Sequence, residues 1–276
     1  MPASTLVFCP PAHARIRAIP AFADNYLWLI RGADGRSAVV VDPGDAAPIE
    51  EALRDERLRL TAILLTHHHP DHAGGVAALK ATWGCTVYGP RAEAIPGVDH
   101  PLEDGERIVP PGLDVEFEVI AVPGHTRGHI AYFGAEVPGD ERPALFCGDT
   151  LFAGGCGRIF EGTPEQMLAS LQRLAALPGE ALVYCAHEYT LSNLRFAQAV
   201  EPGNTLLAER MADAVARRAQ DLRTVPSAIK VERETNPFLR ADAAAVRQSA
   251  AERLGREPAS TVECFAEVRS WKNVFR

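Results

Sequence analysis

The sequence has no long hydrophobic run and no excess of positive charge. No segment approaches the roughly 18 consecutive apolar residues that a membrane-spanning helix requires, so we expect no membrane partner. The formal net charge of −8 argues against a non-specific nucleic-acid surface. We therefore expect neither a nucleic-acid nor a membrane partner, and we expect the chain to act as a monomer.

Paired cysteines are also absent. The six cysteines are scattered and none forms a CxxC pair, so the sequence indicates no disulfide framework. Cys147 and Cys185 lie beside candidate metal ligands, but we do not expect them to bind metal, because harder ligands are abundant nearby. We expect reduced, mostly buried thiols.

The N-terminal segment lacks acidic side chains. Residues 1–23 contain no Asp or Glu but do contain Arg15 and Arg17, a combination that is typical of a transit peptide. Prolines in this segment would break the amphipathic helix of such a peptide. They are Pro2, Pro10, Pro11 and Pro20. We therefore interpret the segment as a short extension that leads into the first strand, and we expect a cytoplasmic protein.

Composition and hydrophobic patterning indicate a globular protein in two parts. The 276 residues, 47% hydrophobic and 23% charged, suffice for one large domain or two modest ones. Short apolar runs predict strands at 26–30, 37–41, 60–65, 86–88, 115–122, 130–133, 144–147 and 181–185. Helical patterns cover 47–55, 76–82, 164–177, 191–199, 206–221 and 241–254. Because only helices are predicted after Tyr189, we place a domain boundary near that residue.

A histidine cluster gives the strongest chemical signal. Four of the nine histidines fall within six positions, in Thr66-His-His-His-Pro-Asp-His72, directly after a predicted buried strand. Imidazole and carboxylate are common ligands of divalent metals. His67 and His69 alternate along an extended segment and can bind one ion, while Asp71 and His72 follow the turn at Pro70 and can bind a second.

Three further polar residues stand at the ends of predicted strands. His125 lies in a glycine-containing turn, Asp149 follows the strand at 144–147, and His187 follows the strand at 181–185. Singly, each residue would more often be a cap or a hydrogen-bonding group. Together with the histidine cluster they indicate a site with seven ligands.

This pattern resembles the signature of the metallo-β-lactamase superfamily, whose fold is an αβ/βα sandwich of two mixed sheets flanked by helices. The resemblance implies an α+β chain in which this sandwich is followed by a C-terminal helical domain. It also implies one metal ion on His67, His69 and His125, a second on Asp71, His72 and His187, and Asp149 as a bridge between them.

Other segments resemble the glyoxalase II, or hydroxyacylglutathione hydrolase, family over nearly the whole chain. They are residues 19–26, 148–152, 155–158, 186–190 and 236–238, together with the C-terminal Arg269-Ser-Trp-Lys272. This resemblance implies a catalytic domain over 1–188 and an α-helical substrate-binding domain over 189–276. Positions that hold glutathione in the family correspond here to Arg158, Tyr189, Arg269 and Lys272. Phe160 departs from the pattern, because members often have a tyrosine there.

The same resemblance implies the chemistry. Members hydrolyse S-(2-hydroxyacyl)glutathione thioesters, such as S-D-lactoylglutathione to D-lactate and glutathione, which is the second step of methylglyoxal detoxification. No GxSxG segment indicates a serine nucleophile. Two divalent ions would instead yield hydroxide near neutral pH, with Asp149 bridging the ions and Asp71 hydrogen-bonding the water. Zinc is the expected metal, and iron or manganese also suits such ligands.

Three other functions remain open at this point. A persulfide dioxygenase of the same superfamily would use one iron and would not need the His187 site. A lactonase or β-lactamase-like hydrolase would share the metals but lack the cations Arg158, Arg269 and Lys272. A non-enzymatic metal-binding protein is disfavoured by the full ligand complement.

The remaining polar residues near the pattern are expected to play supporting roles. We expect His68 to stabilise its neighbours, His129 to support the turn at His125, and His100 to be an exposed loop residue. Asp42 ends a predicted strand, where an acid in this fold commonly supports a metal ligand.

Overall fold

The computed structural model describes residues 15–136 and 142–275, and Cys9 lies outside this range. Within it, the prediction of an N-terminal extension over residues 1–23 is wrong for Ile16–Ala21, because this segment forms a strand that pairs with Asn25–Arg31. The strands of the described part are β1 (Ile16–Ala21), β2 (Asn25–Arg31), β3 (Ser37–Val41), β4 (Arg59–Leu64), β5 (Thr86–Pro90), β6 (His100–Leu102), β7 (Arg107–Ile108), β8 (Phe117–Ala121), β9 (Ile130–Gly134), β10 (Ala144–Gly148), β11 (Leu151–Phe152), β12 (Gly155–Cys156), β13 (Leu182–Cys185) and β14 (Ser227–Ala228). The helices are α1 (Ala46–Glu56), α2 (Pro70–Ala73), α3 (Val76–Trp83), α4 (Pro164–Ala175), α5 (Thr190–Val200), α6 (Thr205–Arg218), α7 (Ile229–Thr235), α8 (Ala244–Leu254) and α9 (Thr261–Val274), with a 3₁₀ turn at Pro237–Leu239.

Two six-stranded mixed sheets form the centre of the fold. The first sheet has the order β1-β2-β3-β4-β5-β6, and the second has the order β14-β13-β10-β9-β8-β7. In the first sheet β3, β4, β5 and β6 are parallel to one another. Strands β1 and β2 form an antiparallel hairpin, and β2 pairs with β3 in antiparallel orientation. In the second sheet only the β10–β13 pair is parallel. Strands β11 and β12 form a separate small hairpin.

The first sheet is buried on both faces, because successive side chains of its strands pack into two different cores. On β2, Trp28 and Ile30 pack into the core shared with the second sheet, whereas Leu27 and Leu29 pack into a core with α1 and α3. Successive side chains of a strand point to opposite faces, so a strand covered on both sides is apolar throughout. This layering, together with the helices after residue 189, confirms the predicted α+β sandwich followed by a helical part.

Local signals set the helix ends. Helix α4 begins with the predicted N-cap Thr163, which forms a reciprocal capping box with Gln166, and Pro164 occupies the first helical position. Helix α6 ends at Arg218 rather than at the predicted residue 221, because Asp221 adopts a left-handed φ of 55°. Several strands of two or three residues were not predicted, since so short a segment shows no periodicity.

The helical part packs directly on the second sheet. Strand β14 pairs with β13, and Phe196, Phe238 and Phe265 belong to the same core as the second sheet. No helix among residues 15–136 and 142–275 is long and apolar enough to cross a membrane.

Candidate metal centre

The predicted ligands gather where strands of the two sheets end. His67 follows β4, His125 follows β8, and Asp149 and His187 follow β10 and β13. A close approach of the sheets brings them together. Gly148 has a φ of 47°, and a Cβ there would lie 2.3 Å from Thr66 Oγ1, so only glycine fits between β10 and the segment that follows β4.

One group of ligand atoms comprises three imidazole nitrogens. His69 Nδ1 lies 3.0 Å from His67 Nε2 and 3.0 Å from His125 Nε2. His125 Nδ1 donates to the Arg158 carbonyl at 2.8 Å, so its proton is on Nδ1 and the Nε2 lone pair is free. Thr66 Oγ1 donates to Asp42 and so accepts from His67 Nδ1 at 3.1 Å, which leaves the His67 Nε2 lone pair free as well.

The second group comprises Asp71, His72 and His187. Asp71 Oδ2 lies 3.5 Å from Nε2 of each of the two histidines. Their other nitrogens contact carboxylates: His72 Nδ1 lies 3.0 Å from Asp42 Oδ2, and His187 Nδ1 lies 2.8 Å from Asp24 Oδ1. Both Nε2 atoms therefore face the site, each held by an acidic partner behind it.

Asp149 lies between the two groups. Its Oδ1 is 3.4 Å from His72 Nε2 and 3.3 Å from His187 Nε2, while its Oδ2 is 3.4 Å from His125 Nε2. One carboxylate thus directs one oxygen to each group of histidines.

These atoms fit a divalent cation in each group. The three imidazoles and the Asp71, His72 and His187 set each bring ligand atoms within 4.8 Å of one another. His72 Nε2 and Asp149 Oδ1 are buried and have no hydrogen-bond partner among the described residues. Burying an unpartnered carboxylate oxygen is costly unless a positive charge offsets it. Asp42, although close to His67 and His72, already accepts three hydrogen bonds and serves as a support.

The pKa shifts of the histidines differ between the two groups of ligands. Burial lowers the pKa of His67 well below its usual value, and burial also lowers the pKa of His69 and His125. Burial acts in the same direction on His72, but Asp149 and Asp42 outweigh it and raise its pKa. Neutral imidazole is the form that binds metal.

All four residues predicted to bind substrate line one cavity beside this centre. The cavity has a volume of about 460 Å³ and reaches His125 and Asp149. The predicted residues on its wall are Arg158, Tyr189, Arg269 and Lys272. Phe160 lines the same cavity, and its exposed ring lies edge-on to His69 and His125 at 5.8 and 5.2 Å.

The two C-terminal cations differ in how freely they face the cavity. Arg269 is buried, and its Nη1 donates to the Cys156 carbonyl at 2.9 Å. Lys272 Nζ donates to the Ser192 carbonyl at 2.9 Å and can donate a further hydrogen bond. Burial and the neighbouring Arg269 lower the pKa of Lys272 to about 8.

The supporting histidines differ partly from expectation. His129 is buried, stacks on His67 and accepts from the Asp149 N–H at 3.2 Å, so it supports more than the His125 turn. His68 contacts Glu93 at 2.9 Å. His100 is exposed, but the loop prediction is wrong, because the residue lies in β6 and stacks on Tyr88.

Two functional residues lacked a predicted role. Asp24 holds His187, and Asn25 donates from Nδ2 to Asp71 Oδ2 at 3.0 Å. Asp24 directly precedes β2 and Asn25 is its first residue, so the polar pair interrupts an otherwise apolar stretch, which is the signal that marks it in the sequence.

A two-sheet sandwich that gathers histidine and aspartate at its strand ends defines a metal-binding hydrolase of the metallo-β-lactamase type. The family model described as the metallo-beta-lactamase superfamily matches residues 24–187, and the model described as the hydroxyacylglutathione hydrolase C-terminus matches residues 188–275. The chain belongs to the hydroxyacylglutathione hydrolase family within that superfamily, and it is an enzyme.

Individual relatives agree with this assignment. A hydroxyacylglutathione hydrolase of Pseudomonas aeruginosa (strain LESB58) is 55% identical over 95% of this chain and 99% of its own. One of Nitrosomonas eutropha is 48% identical over 94% of this chain and 98% of its own. Among solved structures, ETHE1 from Myxococcus xanthus has a TM-score of 0.65 at 26% identity, covering 95% of this chain and 92% of that one. TTHA1623 in a di-iron-bound form has a TM-score of 0.52 at 31% identity, covering 62% and 91%.

Proposed function

We propose that this enzyme hydrolyses S-(2-hydroxyacyl)glutathione thioesters, S-D-lactoylglutathione among them, to glutathione and the free 2-hydroxy acid. The observation that carries the proposal is a double set of metal-ligand atoms that shares Asp149 and opens into a cavity with three cationic side chains. The names of the relatives support the glutathione thioester as the substrate. Location in the cytoplasm and a monomeric state remain predictions.

The binuclear centre is part of the proposal. One ion would be held by His67, His69 and His125, a second by Asp71, His72 and His187, and Asp149 would contact both. Zinc suits these nitrogen and oxygen ligands, and the di-iron-bound TTHA1623 supports a place for two ions in this fold. When bound, such ions lower the pKa of water and polarise the thioester carbonyl.

The chain's own residues orient the reactants. Asn25 fixes Asp71 at the rim of the centre, where its carboxylate can accept a hydrogen bond from the attacking water. Asp24 and Asp42 fix the ring planes of His187 and His72. Because these groups are already held in place, less conformational freedom has to be lost on reaching the transition state.

The cavity provides for the glutathione part. A glutathione thioester carries two carboxylates, and Arg158, Arg269 and Lys272 place positive charge along one wall of an otherwise acidic chain. Tyr189 stacks on His187 with ring centroids 4.7 Å apart and also lines the cavity, so its ring lies beside the metal centre. We propose that these four residues bind the substrate.

The proposal also assigns the two parts of the chain. Residues 1–188 would form the catalytic domain, which carries all seven ligands. Residues 189–276 would form the helical substrate-binding domain, which carries Tyr189, Arg269 and Lys272.

The decisive experiment measures hydrolysis of S-D-lactoylglutathione beside elemental analysis of the same sample. We expect rapid hydrolysis, about two metal ions per chain as in other two-metal sites, loss of activity with a chelator and recovery with added divalent metal. A lactone, a β-lactam and a glutathione persulfide serve as competing substrates. Preferred turnover of any of these, or full activity without metal, would refute the proposal.

A further inference from the structure

The hairpin formed by β11 and β12 connects the metal centre to the cavity. It begins two residues after Asp149, and the side chains of Phe152 and Cys156 form part of the cavity wall. At its base the Gly157 N–H donates to the Thr150 carbonyl at 3.1 Å. A shift of this hairpin would therefore move both a proposed metal ligand and the substrate wall.

The backbone of the hairpin is held by side chains from the helical part. Asn193 donates to Ala153 O (3.2 Å), Glu232 accepts from Gly154 N (2.9 Å), Asn236 donates to Phe152 O (3.3 Å) and Gly155 O (2.9 Å), and Arg269 donates to Cys156 O (2.9 Å). Five consecutive residues are thus fixed by side chains that lie 40 or more positions further along the chain than the groups they bind.

Glu232 is the centre of this arrangement. It is fully buried, and its Oε2 accepts from Gly154 N–H and, at 3.1 Å, from Asn236 Nδ2. Its Oε1 accepts from Arg210 Nη2 and from Ser227 Oγ, both at 2.5 Å. Arg210 is also buried, and its charge offsets the burial of the carboxylate.

Asn193 and Asn236 hold carbonyl groups of the hairpin, whereas Glu232 accepts from its Gly154 N–H. Gly154 has a φ of 68°, and a Cβ there would lie 2.7 Å from Leu194 Cδ2, so no side chain at this position can anchor the turn. The charge-assisted bond from the Gly154 N–H to the carboxylate fills that role.

We propose that Glu232 is a positioning residue for thioester hydrolysis. By holding the Gly154 N–H and orienting Asn236, it keeps the hairpin, and with it Asp149 and the wall formed by Phe152 and Cys156, in the arrangement that the reaction requires. The inference rests on the proposed function for its kinetic consequence, but the contact itself does not.

The test compares Glu232→Gln with Glu201→Gln in the full-length, metal-loaded enzyme. Glu201 is a matched control, because it is also buried in the helical part and pairs with an arginine, Arg240, at 2.8 Å, without touching the hairpin. Glu232→Gln keeps the shape of the side chain but replaces one acceptor oxygen by an NH2 group, which donates and so faces a donor. Three measurements are made: steady-state kinetics, which gives kcat and KM per folded molecule, hydrogen exchange over residues 150–157, and the metal retained against a chelator.

For Glu232→Gln we expect kcat/KM to fall by about tenfold or more, as for loss of one hydrogen bond to a charged group. We also expect faster exchange over residues 150–157 and weaker metal retention, while Glu201→Gln changes none of the three. If Glu232→Gln does not fold, Asn236→Ser replaces it, since serine can still cap Phe238 N but cannot reach the hairpin carbonyls.

A kcat/KM equal to that of Glu201→Gln would overturn the proposal, whatever the exchange shows. Failure of the wild-type enzyme to hydrolyse the thioester would refute the proposed function instead. Metal retention would then decide the positioning role, and unchanged retention in Glu232→Gln would overturn it.

Discussion

Replacing Lys272 gives a sharp test of glutathione recognition. Lys272 lies on α9 and lines the cavity, and its Nζ is already bonded to Ser192. A carboxylate of the substrate would gain a charge-assisted contact that contributes roughly 1.5–3 kcal/mol. Because 1.4 kcal/mol corresponds to about tenfold, and because binding partly replaces the Ser192 bond, we expect Lys272→Ala to raise KM by about tenfold.

Turnover at saturation should change little, because a contact far from the thioester is equally strong in the ground and transition states. Steady-state kinetics with S-D-lactoylglutathione measures both constants. Lys230→Ala is the matched control, because Lys230 is exposed on α7 and does not line the cavity.

The pH dependence adds a second criterion. In the free enzyme Lys272 has a pKa of about 8, lowered from 10.5 by burial and by Arg269 and raised slightly by Cys156. The cation is therefore lost as pH rises through 8, and KM should rise there in the wild type. Lys272→Arg, which stays charged, should keep a low KM, and Lys272→Ala should show a high KM without this step.

Folding stability should increase with pH, whereas substrate binding should weaken. Between pH 8 and 10.5 the unfolded chain binds more protons at Lys272 than the folded chain does. Unfolding free energy therefore gains a positive contribution as pH rises through this window, and the contribution is absent in Lys272→Ala. An unchanged KM in Lys272→Ala, with no difference in pH profile from the wild type, would refute the assignment of Lys272 to glutathione binding.

Three further changes test other parts of the structure. Asp149→Ala should abolish most turnover and reduce bound metal from about two ions per chain, measured by elemental analysis, whereas near-normal turnover would contradict the shared ligand. Arg269→Ala should raise KM and also lower the unfolding free energy by about 1–3 kcal/mol in a denaturant titration, since the Cys156 carbonyl loses its buried partner; unchanged stability would contradict this packing role. Thr163→Ala should cost about 1 kcal/mol through loss of the α4 cap while leaving kcat and KM unchanged, and an altered KM would contradict a purely structural role.

The sequence was informative where chemistry or periodicity is local. The cluster from His67 to His72 predicted a metal site, because several candidate ligands stand within a few positions after one apolar strand. The cap at Thr163 and the apolar strand at 60–65 could likewise be predicted from a few neighbouring residues. Assignment of Arg158 and Lys272 to a substrate cavity came from family resemblance, since neither residue has a distinctive neighbourhood in the sequence.

Other features depended on contacts between distant segments. Asp24 and Asn25 acquire their roles only when the loop between β1 and β2 meets His187 and Asp71, more than 40 residues away. Likewise, the sequence shows Glu232 only as a charged residue of a helix, and its role follows from its contacts with Arg210 and Gly154 in the folded chain. Hydrophobic pattern carries no information about such pairings.

Strand β14 has a consequence for attempts to separate the two parts of the chain. It pairs with β13, whose four residues are all buried, and so occupies one edge of the second sheet. A fragment that stops at residue 188 would present β13 as an uncovered apolar edge beside His187. Such edges recruit strands from other molecules. The isolated N-terminal fragment should therefore self-associate through β13, and expressing the helical part in trans should suppress that aggregation by supplying the missing strand.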